Sequence, residues 1–343
     1  LIAAELIVAK LPKVRYICKD MEANTRPAPA VSVLVPVYGV ERYIAACARS
    51  LFAQRDADAE YIFVDDASPD GSVDCLCEVL AECPAVAERV HILRHERNRG
   101  LGAARRTAIE AARGTYLVHV DSDDALCDDR ALALLLAEAQ RTGADLVFGG
   151  YCEASPAGRR PMRTPRPDRE RLLRSLLRQD YRTANRIWGI LIRRTLHAQY
   201  DLWPVEGLNF AEDYALLPRL VYRAARIAAV DRPLYAYRTL SAGSYMNTLT
   251  RRSADSYVEA NRIVTDFFRA QPDFARWRAA LMLGKLNIAK WILKRGFRPE
   301  DYRTRLFGPD DTPVGVVQRL YAAALRTGCL PLVRAVAAAV NFR

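Results

Sequence analysis

The sequence predicts an α/β fold in which a mainly parallel sheet is covered by helices. Short apolar runs alternate with segments of helical periodicity between residues 31 and 150, and strands that alternate with helices in this way form parallel sheets. Polar residues also gather where the predicted strands end, which is the edge at which open α/β sheets bind ligands. From residue 252 the pattern is mostly helical, so we expect a helical appendage at the C-terminal end.

Each predicted element has its own sequence signal. The first strand, VSVLVPVY, is rich in β-branched residues, and the segment behind it repeats apolar side chains at helical spacing. The same alternation recurs along the chain until the run ADLVFGG. We predict strands at 31–38, 60–66, 89–96, 115–121 and 144–150, and helices at 41–54, 72–83, 101–113 and 129–142.

Changes in composition predict the domain boundaries. The first residues form an extension that is too charged to be a signal peptide. Behind it we expect one large domain in two halves, and then a helical region. The predicted boundaries are 1–30 for the extension, 31–125 and 126–245 for the two halves of the 31–245 domain, and 246–343 for the helical region.

The chain is basic, with 51 Lys and Arg residues against 40 Asp and Glu and a net charge of +11. This balance favours anionic partners, namely phosphates, nucleic acid or an acidic membrane surface. Residues 154–179 carry eight Arg. This segment is either a charged stretch exposed to solvent or a basic rim that meets an anionic acceptor or lipid head group. The Arg-rich part at 159–178 contains no aromatic residue, which argues against a nucleic-acid partner. Eight Cys residues without a pairing pattern predict reduced thiols and a cytoplasmic location.

The stretch HVDSDDALCDD, at 119–129, places five Asp residues directly behind a predicted strand. In an extended segment Asp121 and Asp123 project to the same side, because side chains alternate along a strand. Mg²⁺ binds one or two carboxylates together with phosphate oxygens, so this pair predicts a metal–diphosphate site. The alternative is an acidic helix start, and we expect that role for Asp128 and Asp129.

Four motifs follow one another in the chain: VSVLVPVYGVERYI, YIFVDDASPDGS, NRGLGAARRTAIEAARGTYLVHVDSDD and NFAEDYALLPRLV. In this order they resemble the family 2 glycosyltransferases of the GT-A fold, notably bacterial enzymes of capsule, lipopolysaccharide and exopolysaccharide assembly. The resemblance covers residues 31–245. It implies a Rossmann-like mixed, mainly parallel sheet flanked by helices.

The resemblance implies that a nucleotide-sugar donor binds at the strand ends. Asp123, together with Asp121, would hold the Mg²⁺ or Mn²⁺ that bridges the donor diphosphate, and Asp66 would read the edge of the base. The other implied donor-side positions are Pro36, Val37, Tyr38, Arg105 and Ser122.

The resemblance also implies an acceptor side. Asp213 would be the general base that takes the proton of the acceptor hydroxyl, which is a poor nucleophile without such help. The alternative for Asp213 is a helix-start carboxylate, and Glu212 would support acceptor binding. Trp188 either stacks on a sugar ring or belongs to the core, and Arg238 would contact the diphosphate or the acceptor.

Together these observations predict an inverting, metal-dependent glycosyltransferase. It would move a sugar, from a UDP-sugar, to a hydroxyl of a glycan or lipid-linked oligosaccharide in surface polysaccharide synthesis. We expect a cytoplasmic protein with peripheral contact at the inner face of the cytoplasmic membrane.

Two other classes of protein remain as alternatives. A sugar-phosphate nucleotidyltransferase could use the same acidic pair, but no Gly-rich, Lys-containing loop follows the first strand. A non-catalytic basic binding protein should keep its function when Asp123 or Asp213 is replaced by Asn.

Overall fold

The computed structural model describes residues 14–18, 27–162, 164, 168–179, 185–239, 250–308 and 311–341. The chain divides into two compact units. The first unit comprises residues 1–167, 187–207 and 223–242, and the second comprises 168–186, 208–222 and 243–343. The domain boundaries expected from composition stay predictions.

The first unit is built on one mixed sheet, which has ten strands among the described residues. In chain order these are β1 (Val14–Cys18), β2 (Val31–Val37), β3 (Ala59–Asp65), β4 (Val90–His95), β5 (Tyr116–His119), β6 (Ala125–Leu126), β7 (Leu146–Ser155), β8 (Gly158–Met162), β9 (Ile190–Arg193) and β10 (Ile227–Arg238). Their order across the sheet is β1-β4-β3-β2-β5-β9-β7-β10-β6, and β8 pairs with β7. β2, β3, β4, β5, β7 and β10 run in one direction.

The helices are α1 (Glu41–Phe52), α2 (Ser72–Glu82), α3 (Leu101–Ala111), α4 (Ala131–Thr142), α5 (Arg169–Arg178), α6 (Thr195–Tyr200), α7 (Glu212–Arg223), α8 (Arg251–Arg269), α9 (Phe274–Lys294), α10 (Arg303–Leu306), α11 (Gly315–Arg326) and α12 (Leu330–Asn341). The strands and helices predicted up to residue 150 are therefore confirmed, with small shifts at their ends. The mainly parallel, helix-covered sheet is also confirmed.

The sequence analysis did not predict β1, β6, β8, β9 or β10 as strands, and the placement of β9 and β1 shows why. β9 comes from a later part of the chain, lies between β5 and β7, and is antiparallel to both. β1 comes from the N-terminal extension and pairs antiparallel with β4 at the edge of the sheet. Both pairings join segments far apart in sequence, which local periodicity does not specify.

The alternation of side chains along β2 explains how the sheet buries both of its faces. Val33 and Val35 pack into the core that also contains Ile44 of α1, whereas Leu34 packs into a second core with Ala104 of α3. Because successive residues of a strand point to opposite faces, a strand that is apolar throughout is buried on both sides. This arrangement leaves the carboxyl ends of the strands as the place where polar groups can gather.

The second unit is helical among the residues that the structure describes. α8 begins with a capping box in which Thr250 and Ser253 satisfy each other's backbone N–H groups. α9 packs closely on α5 at Gly284. A Cβ atom at this position would overlap with the carbonyl oxygen of Leu177. The predicted helical appendage is confirmed. Within the described ranges, no helix has the length and hydropathy needed to cross a membrane.

Candidate functional site

The acidic loop that follows β5 is held by contacts with three other elements. The backbone N–H of Asp121 donates to the hydroxyl oxygen of Tyr235 at 3.1 Å, and the Cys47 thiol lies 3.8 Å from the Asp121 carbonyl oxygen. The Arg105 guanidinium, which is buried in α3, donates to Oδ1 of Asp121 at 2.9 Å. Asp121 is thus fixed from β10, α1 and α3 while its side chain stays 25% exposed.

Asp124 is buried at the base of this loop. Its carboxylate accepts a hydrogen bond from the Tyr235 hydroxyl at 2.8 Å and another from the backbone N–H of Arg238 at 2.7 Å. Burial, and then the negative charges of Asp121 and Asp123, raise the pKa of Asp124 to about 8. Burial is the main cause of this rise, because it disfavours the charged form of a carboxyl group.

Arg238 fixes the same loop from β10. Its Nε donates to the carbonyl oxygen of Asp123 at 2.9 Å, and its guanidinium lies over the ring of Tyr43, 5.1 Å from the ring centre. The neighbouring Ser122 is buried. Arg238 therefore orients the backbone of Asp123, and its predicted contact with the diphosphate or the acceptor stays a prediction.

The carboxylates of Asp121 and Asp123 could hold a divalent cation. Mg²⁺ takes oxygen ligands, commonly one or two carboxylates, and completes its shell with water and phosphate oxygens. Across the ranges that the structure describes, no group of three or more His, Cys, Asp or Glu side chains could bind a metal ion. Two carboxylates leave most of the coordination shell of such an ion open, so the acidic loop would hold it only together with water and the phosphate oxygens of a ligand.

Asp66, directly after β3, connects the strand to the start of α3. Its Oδ1 lies 2.6 Å from Nδ1 of His95 and accepts from the backbone N–H of Arg99 at 2.9 Å. Its Oδ2 accepts from the backbone N–H of Gly100 at 2.7 Å. The other ring nitrogen of His95 lies 2.9 Å from the Thr107 hydroxyl. Both carboxylate oxygens are occupied within the protein, and reading of a base by Asp66 stays a prediction.

The end of β2 presents an exposed aromatic ring. The carbonyl oxygen of Val37 accepts from the backbone N–H of Asp66 at 2.9 Å, which sets the two strand ends side by side. Tyr38 follows and is 48% exposed, and Gly39 turns the chain with φ of +66°. An exposed ring at a strand end can stack on a nucleobase. The role of Pro36, Val37 and Tyr38 in binding the nucleotide stays a prediction.

Trp188 lies in an aromatic cluster and is only 8% exposed. Its ring stacks on Tyr235, with ring centres 4.3 Å apart, and on Tyr237, with ring centres 5.3 Å apart. Tyr151 meets it edge to face at 5.2 Å. These contacts agree with the interpretation of Trp188 as a core residue. Stacking of Trp188 on a sugar ring stays a prediction.

Glu212 and Asp213 lie in the second unit, where they form the first turn of α7. The roles expected for them in acceptor binding and proton transfer stay predictions. The first unit brings together Arg105, Asp121, Ser122, Asp123 and Arg238, all of which the sequence analysis selected.

The sequence analysis missed Tyr235 as a residue of this site and left Asp124 without a role. The spacing of Tyr235 and Tyr237 by two residues in PLYAYR was an available signal, because such a pair shares one face of a strand. Asp128 and Asp129 lie directly before α4, as expected for an acidic helix start, but neither is its N-cap, which is Arg130 and has no side-chain cap. The Asp128 carboxylate accepts a hydrogen bond from the backbone N–H of Arg130 at 2.8 Å. Asp128 also pairs with Arg232, and Asp129 pairs with Arg55.

Part of the chain is similar to a known protein family. Residues 32–198 match the family described as Glycosyl transferase family 2. The protein named Uncharacterized glycosyltransferase EpsJ, from Bacillus subtilis (strain 168), is 34% identical over 217 residues, which cover 61% of this chain and 61% of EpsJ. The chain thus spans less than two thirds of the length of that relative.

Solved structures share the fold across most of the chain. S. aureus TarS 1-349 in complex with UDP-GlcNAc has a TM-score of 0.69 at 18% identity, covering 90% of this chain and 91% of that one. Mannosyltransferase PcManGT from Pyrobaculum calidifontis, in complex with GDP-Man and Mn²⁺, has a TM-score of 0.51 at 17% identity and covers 92% and 88%. At these identities the similarity establishes the fold alone, and it confirms the predicted GT-A fold.

Proposed function

We propose that this protein is an inverting, metal-dependent glycosyltransferase, because residues 32–198 match the family described as Glycosyl transferase family 2. It moves a sugar from a nucleotide sugar, with UDP-sugars as the first choice, to a hydroxyl of a glycan or lipid-linked oligosaccharide. The reaction belongs to surface polysaccharide synthesis.

The acidic loop at the end of β5 is the observation that carries this proposal. Arg105 pairs with the Asp121 carboxylate, and Arg238 holds the backbone of Asp123, so the loop presents two carboxylates from a fixed backbone. A loop with this charge, at the ligand-binding edge of an α/β sheet, supports binding of a divalent cation and a diphosphate.

Each residue of the proposed mechanism has a separate task. Asp121 and Asp123 hold the divalent ion, and Arg105 keeps the Asp121 carboxylate in place. The ion, when bound, stabilises the charge that develops on the leaving nucleoside diphosphate. Asp213 accepts the proton of the acceptor hydroxyl as that oxygen attacks the sugar. Attack on the face opposite the leaving group gives inversion at the anomeric carbon.

Two observations support the choice of donor. The solved structure of TarS contains UDP-GlcNAc, whereas PcManGT contains GDP-Man, so both donor classes belong in a first screen. The ring of Tyr38 is exposed at the end of β2, where it can stack on a base of either nucleotide. UDP-sugars come first, since TarS has the higher TM-score of these two structures.

The proposal includes a place in the cell. The acceptor is presented at the inner face of the cytoplasmic membrane, and the protein acts there from the cytoplasm. Exposed Arg159, on β8, supports contact with an anionic acceptor.

A panel of nucleotide sugars tests this function through hydrolysis of the donor with Mn²⁺, with Mg²⁺ and with a chelator. We expect metal-dependent release of the nucleoside diphosphate. Asp123→Asn should lower the rate on the order of a hundredfold, because it weakens the site for the ion that would stabilise the charge developing on the leaving group. Asp213→Asn should abolish transfer to an acceptor and leave binding of the nucleotide unchanged.

Asp129→Asn is the matched control. It removes a carboxylate from the same stretch of sequence, and this carboxylate forms an ion pair with the exposed Arg55. The control should keep full activity. Turnover without metal, or full activity of Asp123→Asn, would contradict the proposed site. Release of diphosphate from a nucleoside triphosphate and a sugar phosphate would instead identify a nucleotidyltransferase.

A further inference from the structure

A cationic cleft of about 310 Å³ lies between α9 and α12 in the second unit. This volume is at the lower end of the range for small-molecule sites, roughly 300 to 1,000 Å³. Three cations and three apolar side chains line it: Lys290, Lys294, Arg334, Leu330, Ala337 and Ala338. A cleft with this lining fits a small anion attached to an apolar body.

The three cations of the cleft differ from other cations of this unit in their surroundings. In the part of the chain that the structure describes, no carboxylate forms an ion pair with Lys290, Lys294 or Arg334. By contrast, Lys285 on the same helix is buried and pairs with Asp311 at 3.1 Å. Burial, and then the charge of Lys294, lower the pKa of Lys290. An anion in the cleft would relieve this repulsion.

The face of α12 beside the cleft is exposed and apolar. Pro331, Leu332, Ala335 and Ala338 are all exposed, and Leu332 keeps 45% of its surface in contact with water. Arg334 is the cation at one edge of this face, next to the cleft. Helices that lie in the membrane interface combine an apolar face with cations at its border.

The neighbouring helix adds to this surface chemistry. On α11, Val316 is 66% exposed and Leu320 is 57% exposed. From residue 312 to the last residue, the sequence contains four Arg and no Asp or Glu. Such a composition attracts the negative charge of a phospholipid surface.

We propose that the cleft between α9 and α12 binds the phosphate of an anionic phospholipid headgroup, with the apolar face of α12 in the membrane interface. The cleft cations, which form no ion pair with a described carboxylate, would bind the phosphate group. The exposed apolar side chains beside them favour a lipid over a free anion. The nucleotide-sugar donor and the acidic loop take no part in this contact. The proposal therefore stands or fails independently of the proposed reaction.

Sedimentation of the full chain with vesicles tests the proposal in the absence of any donor. One set of vesicles contains phosphatidylcholine alone, and the other also contains phosphatidylglycerol. We expect at least about tenfold tighter binding to the anionic vesicles, because each cation near such a surface contributes on the order of 1 kcal/mol. The double variant Lys294→Glu with Arg334→Glu should lose on the order of tenfold or more of this affinity.

The matched control is Arg319→Glu with Arg326→Glu, which changes the charge by the same amount at exposed positions of α11, outside the cleft. A clearly smaller loss is expected for the control. Leu332→Ser leaves the charge unchanged and should still weaken vesicle binding several-fold, because it removes apolar surface from the interface. Donor hydrolysis without vesicles and the circular dichroism spectrum check that each variant is folded.

Three outcomes would overturn the proposal. Equal loss in the cleft variant and in the control would mean that net charge alone attracts the protein. Equal binding to neutral vesicles would exclude recognition of a phosphate headgroup. Binding of inorganic phosphate that depends on Lys294 and Arg334, without any vesicle binding, would identify a site for a free anion instead.

Discussion

The hydroxyl of Tyr235 donates a hydrogen bond to the Asp124 carboxylate at 2.8 Å, and both side chains are buried. The same hydroxyl oxygen accepts from the backbone N–H of Asp121 at 3.1 Å. One hydroxyl of β10 thus connects to both ends of the acidic loop, although it is more than one hundred residues away in sequence.

Tyr235→Phe should therefore lower both stability and activity. The change leaves a buried carboxylate oxygen and a backbone N–H without their partner, at a cost of about 1–3 kcal/mol in the free energy of unfolding. Urea unfolding and donor hydrolysis measure the two effects. Tyr237→Phe is the control, because the Tyr237 hydroxyl forms no hydrogen bond with a described residue while its ring also stacks on Trp188. Equal effects of the two variants would contradict the role of the Tyr235 hydroxyl.

Asp66→Asn should weaken nucleotide binding and stability together. The asparagine keeps only one acceptor oxygen for the donors that the carboxylate serves, which are His95 and the backbone of Arg99 and Gly100. We expect the free energy of unfolding to fall by about 1–3 kcal/mol, with a several-fold loss of UDP affinity because the start of α3 shifts. Calorimetric titration with UDP and urea unfolding test this. Lost affinity at unchanged stability would show instead that Asp66 contacts the nucleotide directly.

His91 should make stability depend on pH below neutrality. Burial chiefly, with the charge of Arg113, lowers the pKa of His91 from its ordinary value of 6.5, although Glu60 acts in the opposite sense. Below about pH 6.5 the unfolded chain binds a proton that the folded protein does not, so the free energy of unfolding falls by up to about 1.4 kcal/mol per pH unit. Urea unfolding at several pH values should show a shallower decline for His91→Gln. Identical declines would refute the assignment to His91.

Gly284→Ala should destabilise the second unit. In an exposed helix this change would stabilise by about 1 kcal/mol through helix propensity alone. Here the new methyl group would overlap with the carbonyl oxygen of Leu177 on α5, and overpacking typically costs about 1–3 kcal/mol. The sign of the change in the free energy of unfolding decides between the two effects. A more stable variant would mean that α5 and α9 can separate without cost.

The sequence by itself determined the strand–helix alternation from β2 to β7 and placed Asp121 and Asp123 at the end of β5. These features follow from local causes. Apolar periodicity fixes the type of each element, and the carboxyl ends of parallel strands meet at one edge of a sheet. Arg105 was selected through the family resemblance, and the structure shows its contact with Asp121, while the functional roles of all three stay predictions.

Only the tertiary structure decided that β9 enters between β5 and β7, and that β10 brings Tyr235 and Arg238 to the acidic loop. It also added an ion pair with Arg232 to the position of Asp128 at the start of α4. The physical reason is that strand pairing and burial depend on which distant segments meet. The period of a single segment carries no information about its partner, so these contacts appear only when the whole sheet is assembled.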